Sequence, residues 1–253
     1  MIEVSSKELL LWIENILKKD EGDKDSLYLL IDLLAGISRS EITILRLETP
    51  KTINMMVSLD CLNKNWIEFI RSKKPIQYLS QKCYWRDLNL EVNQNVLIPR
   101  VETEQIIEIV LNLISDSKKE LLITDLGTGS GAIAISLALK CPLWSILATD
   151  IDLKAIKLAS KNFKKYSNNN NLKLFCGSWW KPLNKYIGEI DIAISNPPYI
   201  PLRIYKNLTD SVKNYEPRKA LNGGADGLLH IREIIKEAPK YLKRYGWLIL
   251  ENH

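Results

Sequence analysis

From residue 121 onward, short apolar runs alternate with longer segments whose apolar residues recur at helical spacing. The runs are rich in β-branched side chains, which is typical of strands buried on both faces of a sheet. We predict strands over 121–126, 145–149, 172–176, 190–195 and 247–250, and helices over 131–140, 152–165 and 228–244. Strands that alternate with helices in this way favour a doubly wound α/β fold around a mostly parallel sheet.

The predicted strand over 190–195 is followed by Asn196-Pro197-Pro198-Tyr199. Two consecutive prolines fix the backbone and lack N–H donors, so their carbonyls and the Asn196 amide are held where they can accept hydrogen bonds. Tyr199 adds a flat ring that can pack on a planar amide or base. Because open α/β sheets bind ligands at the carboxyl ends of their strands, this turn is a candidate site. The alternative is an ordinary strand-ending turn, which Asn-Pro also marks.

A glycine-rich loop, Gly127-Thr128-Gly129-Ser130-Gly131, lies between a predicted strand and a predicted helix. Glycines in that context allow a ligand to approach the backbone closely. Asp150 ends the next strand, 19 residues beyond Gly131, where a carboxylate can accept hydrogen bonds from both ribose hydroxyls. The loop and Asp150 together predict a nucleoside-containing ligand, against the alternative of a tight turn that binds nothing.

The loop alone does not identify the nucleoside, because Gly127-x-Gly129-x-x-Ala132 also satisfies the relaxed dinucleotide fingerprint. NAD is therefore an alternative ligand. Hydride transfer, however, does not call for an Asn-Pro-Pro-Tyr turn. Methyl transfer to an amide or an exocyclic amine does need acceptors for the NH₂ protons, and the combination favours S-adenosylmethionine.

The first 75 residues carry four short segments with apolar residues at helical spacing, over 6–19, from Asp25 to Gly36, over 40–45 and over 62–71. They predict a small helical bundle, which either packs on the main domain or docks a protein partner. Residues 76–100 approximate strand alternation and predict a β-hairpin with its turn at 93–95. This hairpin would link the bundle to a domain over 101–253.

Composition argues against several other classes of protein. The four cysteines form no Cys-x-x-Cys pair and there are only two histidines, so we expect neither a metal site nor Cys/His catalysis. No apolar run reaches the roughly 18 residues of a membrane span, and the amino terminus lacks signal-peptide features. We therefore expect a cytoplasmic protein. The net charge of +5 is compatible with a ribosomal neighbourhood and decides nothing by itself.

Five stretches carry a family resemblance: 75–79, 96–104, 125–135, 196–200 and 215–221. Asn-Pro-Pro-Tyr alone is shared with adenine methyltransferases, but its combination with Ile-Pro-Arg-x-Glu-Thr-Glu and Tyr-Glu-Pro-Arg is specific. On these motifs the chain resembles the glutamine N5-methyltransferases that modify class I peptide chain release factors. The resemblance implies a substrate-docking domain over 1–75 and a class I S-adenosylmethionine methyltransferase domain over 101–253. It also implies no membrane partner, and nucleic acid only indirectly through the ribosome.

The resemblance further implies roles for individual residues. The methionine part of the cofactor would be wrapped by Gly127, Thr128, Gly129, Ser130 and Gly131. Asp150 would bind the ribose, and Trp180 would pack on the adenine unless it is an ordinary core tryptophan. The catalytic residues would be Asn196, Pro197 and Tyr199. Asn196 would contact the cofactor and, with the Pro197 carbonyl, bind the acceptor amide, in a slot lined by Pro198 and Tyr199.

Some positions depart from the family pattern. Val101 replaces a usual proline, Ser80 replaces a usual glycine, and Trp179 stands where an acidic residue commonly contacts the adenine amine. The sequence ends at His253, where related enzymes continue with a helix and two strands, so we expect these strands to be missing. Two other functions stay open: an adenine-N6 nucleic-acid methyltransferase with the same turn, and an inactive S-adenosylmethionine-binding protein.

Overall fold

The computed structural model describes residues 1–19, 22–48, 52–114, 119–166 and 170–252. These residues form two compact units, 1–82 and 83–253, which are considered separately below. The first unit extends past the predicted boundary at residue 75, because 76–80 form a short helix that belongs to it. Among the described helices, none is long and apolar enough to cross a bilayer.

The first unit is helical, and the four predicted helices are confirmed. Its elements are β1 (Ile2–Ser5), α1 (Ser6–Lys18), α2 (Lys24–Ala35), α3 (Arg39–Glu48), β2 (Thr52–Met55), α4 (Leu59–Ser72) and α5 (Ile76–Ser80). The Asp23 side chain caps α2 by accepting hydrogen bonds from two backbone N–H groups, and Gly36 ends the helix with a φ of 72°. Strands β1 and β2 pair antiparallel and were not predicted, because four residues are too few to show a period.

The hairpin predicted over 76–100 is shorter than expected, and its turn lies elsewhere. Strands β3 (Lys82–Trp85) and β4 (Leu88–Glu91) pair with each other, while 96–98 form no strand. Arg86 adopts a φ of 50°, the left-handed conformation that a two-residue hairpin turn requires. The turn predicted at 93–95 does exist, but there the Asn93 side chain accepts a hydrogen bond from the Asn95 N–H and the chain leaves the sheet.

The second unit alternates helices and strands, as predicted. Its further elements are α6 (Glu104–Leu113), β5 (Leu122–Leu126), α7 (Ala132–Lys140), β6 (Ser145–Asp150), α8 (Leu153–Lys164), β7 (Leu172–Cys176), β8 (Ile190–Ser195), α9 (Leu202–Tyr205), α10 (Asp210–Tyr215), α11 (Leu229–Tyr241) and β9 (Leu242–Leu250). The sheet order is β7-β6-β5-β8-β9, and every described pair in it is parallel. The doubly wound α/β fold is confirmed.

Both faces of this sheet are covered, which explains the continuous apolar runs. One face packs against α6, α7 and α8 in a core that includes Ile123, Ile146 and Ile192. The other packs against α11 and the segment 181–186 in a second core. The chain leaves β5 toward β6 on one side, and β8 pairs with β5 on the other. A sheet of this order opens a crevice at the carboxyl ends of β5 and β8, where ligands bind.

Candidate active site

A cavity of about 720 Å³ opens at the carboxyl ends of the strands of the second unit. Seven of the predicted site residues line it: Gly127, Thr128, Gly129, Ser130, Asp150, Asn196 and Pro198. The rest of its wall comes from residues 95–103, from the start of α7, from the residues just after β6 and β7, from 218–222 and from the start of α11. Its volume is ordinary for a small-molecule site.

The glycine loop is fastened to β6 by its backbone. Gly127 and Thr128 donate their N–H groups to the Thr149 carbonyl, at 2.8 and 2.9 Å. Gly129 has a φ of 55°, and a Cβ built there meets no described heavy atom within 4 Å, so its backbone faces open space. At Gly131 a Cβ would lie 2.8 Å from Ile135 Cδ1. Gly131 therefore serves the packing of α7, and it is not among the residues that line the cavity.

Asp125 lies beneath this loop and is almost fully buried. Its Oδ2 accepts a 2.6 Å hydrogen bond from the Thr128 hydroxyl. Burial raises the pKa of Asp125 to about 7; the Thr128 hydrogen bond opposes that shift, and the charge of Asp150 adds to it. The loop is thus anchored from below by a carboxyl group that titrates near neutral pH.

The Asp150 carboxylate stands at the end of β6 and is shared between two backbone donors. Oδ2 accepts the Gly129 N–H and Oδ1 accepts the Asp152 N–H, each at 2.9 Å. Burial raises the pKa of Asp150, and these two hydrogen bonds oppose the shift. Since each carboxylate oxygen has two lone-pair directions, each keeps one free acceptor position. Two such positions match the two hydroxyls of a ribose.

Two adjacent tryptophans follow β7, and only one of them lines the cavity. Trp180 is buried, stacks on Tyr241 at 5.0 Å between ring centroids, and donates its Nε1–H to the Ile234 carbonyl at 3.0 Å. Its ring is part of the core, and its predicted contact with adenine stays a prediction. Trp179 lines the cavity instead. It has a φ of 47°, a left-handed conformation that turns its ring toward the glycine loop, where a Cβ on Gly127 would lie 3.1 Å from Trp179 Cζ3.

Trp179 belongs to a polar cluster that sequence reasoning missed. Its Nε1–H donates to Glu233 Oε2 at 3.0 Å, and His230 Nδ1 lies 3.4 Å from the same oxygen. The rings of Trp179 and His230 are 5.5 Å apart and tilted. Glu233 and His230 lie on α11 and line the cavity, but in the sequence they show only as polar positions of an amphipathic helix.

The Asn196 side chain is held by a residue that precedes α6. Its Nδ2 donates a 2.9 Å hydrogen bond to Thr103 Oγ1, and both residues line the cavity. The preceding residue, Ser195, anchors the strand end by donating its hydroxyl proton to the Leu126 carbonyl at 2.6 Å. With Nδ2 engaged, Asn196 Oδ1 is the atom that stays free to accept a hydrogen bond. Thr103 lies in a motif that carried the resemblance, but the sequence did not suggest this contact.

The other three residues of the turn differ in whether they line the cavity. Pro198 lines the cavity, whereas Pro197 and Tyr199 are not among the lining residues within the described chain. Tyr199 is half-buried and donates its hydroxyl proton to Glu251 Oε1 at 3.3 Å. Burial, and then the nearby Glu251 carboxylate, raise the pKa of Tyr199. The turn itself is tightly packed, because a Cβ on Gly223 would lie 2.7 Å from Tyr199 Cα.

An ion pair lies beside the cavity, between Arg100, which lines it, and Glu216. Arg100 Nη2 lies 2.8 Å from both carboxylate oxygens of Glu216, whose exposed fraction is 5%. Burial raises the pKa of Glu216, and the Arg100 guanidinium opposes that shift. Lys219 forms a second ion pair with Asp152. The motifs around Arg100 and Glu216 were recognised separately in the sequence, and the structure explains them together as one contact.

These features fit S-adenosylmethionine. The open backbone at Gly129 admits a ligand, Asp150 offers two acceptor positions for a ribose, and Trp179 offers a flat aromatic surface beside them. Asn196 adds a free amide oxygen at the same cavity, where an acceptor group could meet the cofactor.

Comparison with known proteins identifies the family. Residues 105–211 match the model of the methyltransferase small domain. A release factor glutamine methyltransferase of Prochlorococcus marinus is 38% identical over 98% of this chain and 85% of its own length. A protein with the same description from Thermosynechococcus vestitus is 36% identical over 95% of this chain and 82% of its own. With this identity over nearly its whole length, and with the cavity described above, the chain belongs to the release factor glutamine methyltransferase family.

Proposed function

We propose that this protein transfers a methyl group from S-adenosylmethionine to the side-chain amide nitrogen of a glutamine in class I peptide chain release factors. One observation carries the proposal: a single cavity brings the glycine loop and Asp150 together with an Asn196 amide whose oxygen is free. Membership of a methyltransferase family favours S-adenosylmethionine over NAD. The names of the relatives supply the substrate class.

Each part of the cofactor would be bound by a different group of the protein. We assign its methionine part to the loop over Gly127, Thr128, Gly129 and Ser130, and its ribose to Asp150. We assign the adenine to the face of Trp179, which takes the place first given to Trp180. When bound, S-adenosylmethionine supplies an electrophilic methyl group. The protein's task is then to present a nitrogen lone pair to that carbon.

A glutamine amide nitrogen is a weak nucleophile, because its lone pair is delocalised into the carbonyl. We propose that Asn196 Oδ1 and the Pro197 carbonyl accept its two N–H groups and so turn the nitrogen toward the methyl group. Tyr199, anchored to Glu251, would steady the turn that carries both acceptors. The nitrogen would form the new C–N bond as the bond between the methyl carbon and the sulfonium sulfur breaks, which leaves S-adenosylhomocysteine, and one of the nitrogen's protons would leave to solvent afterwards. No strong base is needed.

The release factor would dock on the first unit. Apolar side chains there are exposed, with Leu47 at 80%, Leu11 at 54% and Ile44 at 49%, and a protein partner can cover such groups. We therefore propose that the release factor binds to residues 1–75. Because release factors act on ribosomes, the proposal places the encounter in the cytoplasm, with nucleic acid nearby only through the ribosome.

The test is methyl transfer to a full-length release factor with isotopically labelled S-adenosylmethionine, read by mass spectrometry of tryptic peptides. We expect one labelled methyl group on a glutamine. Asn196→Ala should abolish most turnover and leave cofactor affinity nearly unchanged, since the lost interaction is with the acceptor. Asn207→Ala, at an exposed asparagine outside the cavity, is the matched control. Methylation of adenine in oligonucleotides, with none on the release factor, would replace this function by adenine-N6 transfer.

A further inference from the structure

We propose that Thr103 is a positioning residue that fixes the plane of the Asn196 amide beside the acceptor. The inference rests on the proposed function, because it assumes that Asn196 Oδ1 accepts an N–H of the methylated amide. It goes beyond that function by adding a residue that need not touch the substrate. Thr103 would act only through Asn196.

Thr103 stands at the N-cap of α6, where a threonine hydroxyl usually accepts a hydrogen bond from the first turn of its own helix. Within the described residues its side chain makes no such capping bond, and its backbone is already helical, with φ −62° and ψ −19°. The hydroxyl instead accepts the Asn196 Nδ2–H, from a residue 93 positions away. The Thr103 hydroxyl therefore binds a distant residue and does not cap its own helix.

Both partners are held in place before any ligand arrives. The Thr103 carbonyl accepts the Ile106 N–H at 3.1 Å, and Arg100, three residues earlier, is fixed by its ion pair with Glu216. On the other side, the Ser195 hydroxyl ties the end of β8 to β5 through the Leu126 carbonyl. Thr103 is 5% exposed, so water competes little for its hydroxyl. The Thr103–Asn196 hydrogen bond thus joins two preorganised segments.

An asparagine amide has an acceptor end and a donor end, and a half-turn about its last bond exchanges them. A threonine hydroxyl can accept from Nδ2 or donate to Oδ1, so this hydrogen bond fixes the plane of the amide; with Thr103 accepting from Nδ2, Oδ1 is left for the acceptor group. Without the hydroxyl, the amide turns more freely about its last bond, and any orientation that takes Oδ1 out of line with the acceptor N–H is unproductive. Thr103 thereby raises the fraction of protein that is ready to react, with little effect on cofactor binding.

The test compares Thr103→Val, which keeps the shape and loses the hydroxyl, with Thr103→Ser, which keeps the hydroxyl. Thr209→Val is the matched control, since Thr209 is also an N-cap threonine but is exposed and outside the cavity. For each protein, kcat and KM are measured with the full-length release factor, and cofactor Kd is measured by calorimetry. We expect Thr103→Val to lower kcat about tenfold, the effect of one net hydrogen bond. KM and Kd should stay within about twofold, and Thr103→Ser should recover most of the rate.

A second readout does not depend on turnover. Selective ¹⁵N labelling of asparagine gives side-chain amide signals, and the Asn196 pair is assigned by its loss in Asn196→Ala. In the free protein these signals should shift in Thr103→Val and stay near their wild-type position in Thr103→Ser. Should Thr103→Val fail to fold, Thr103→Ala takes its place in both measurements.

The inference is overturned if the variant without the hydroxyl keeps the wild-type kcat, or if Thr103→Ser is as slow as Thr103→Val. It is also overturned if cofactor Kd rises as much as kcat falls, because Thr103 would then be structural. Failure of the proposed function looks different: the wild-type protein binds S-adenosylmethionine and leaves release-factor glutamine unmodified.

Discussion

The indole Nε1 of Trp179 lies 3.0 Å from Glu233 Oε2, and this hydrogen bond joins the end of β7 to α11 across one side of the cavity. It holds the Trp179 ring in one orientation against the glycine loop. A ring that is fixed before a ligand arrives loses little conformational freedom on binding. The contact therefore makes Trp179 a preformed surface for an aromatic base.

We predict that Trp179→Ala weakens S-adenosylmethionine binding by about 1–3 kcal/mol, the usual effect of losing one base–aromatic stack. Calorimetric titration should show the loss, and Trp179→Phe should keep most of the affinity. Trp180→Phe is the informative control, because it should lower the melting temperature and leave cofactor Kd nearly unchanged. The opposite pattern would return the adenine to Trp180.

Asp150→Ala should weaken S-adenosylmethionine binding by at most a few kcal/mol, as expected for a charge-assisted hydrogen-bonding group. The same change frees the Gly129 N–H, so the loop should also lose order. Asp226→Ala, at an exposed aspartate that precedes α11 and lies outside the cavity, should bind like the wild type. Titrations that detect NAD binding and no S-adenosylmethionine binding would reject the cofactor assignment.

Asp125 should make the stability of the second unit fall as pH rises. Its pKa is about 7 in the folded protein and near 3.8 when unfolded, so the folded state binds the proton more tightly between these values. The contribution of Asp125 to the free energy of unfolding is therefore greatest below pH 3.8, and it falls as the pH rises from there to about 7. Asp125→Asn cannot ionise, yet it can still accept the Thr128 hydroxyl.

Urea unfolding at pH 5 and pH 8 tests this prediction. The wild-type free energy of unfolding should fall relative to that of Asp125→Asn by a few kcal/mol, at about 1.4 kcal/mol per pKa unit. Asp226→Asn serves as an exposed control and should follow the wild type. Parallel pH profiles for the wild type and Asp125→Asn would mean that Asp125 does not titrate in this range.

Removing Arg100 should leave the Glu216 carboxylate buried and unpaired. We predict that Arg100→Ala costs about 2 kcal/mol of stability at pH 8, reduced from the value for a fully buried pair because Arg100 is one-third exposed. The cost should shrink at pH 5, because a protonated Glu216 needs no cationic partner. The double change Arg100→Met with Glu216→Leu should restore much of the loss. An equal cost at both pH values would contradict this account.

Much of the architecture could be predicted from local patterns. The strands of the second unit follow from β-branched runs, and the loop–Asp150 pair follows from the glycines and their distance along the chain. The spacing of apolar residues did not predict the short strands β1 and β2. It also did not predict the hairpin turn at Arg86, where one residue in a left-handed conformation redirects the chain.

The same limit explains why the sequence did not place Trp179 at the cavity. Adjacent residues after a strand point in different directions, and the choice between Trp179 and Trp180 depends on a positive φ that no composition rule predicts. Contacts such as Thr103–Asn196 and Arg100–Glu216 join positions 93 and 116 residues apart. A local pattern carries no information about which distant partner a side chain meets.

Gly223 has no side chain that could react, yet the tight packing around it makes the Asn196 turn depend on it. A single methyl there would lie 2.7 Å from Tyr199 Cα and 2.6 Å from the Gly227 carbonyl oxygen, both backbone atoms that cannot swing aside. Even alanine must displace the turn that carries Asn196. In a random mutational screen for loss of activity, every replacement at this glycine should therefore score as an active-site lesion, although the residue itself has no side chain.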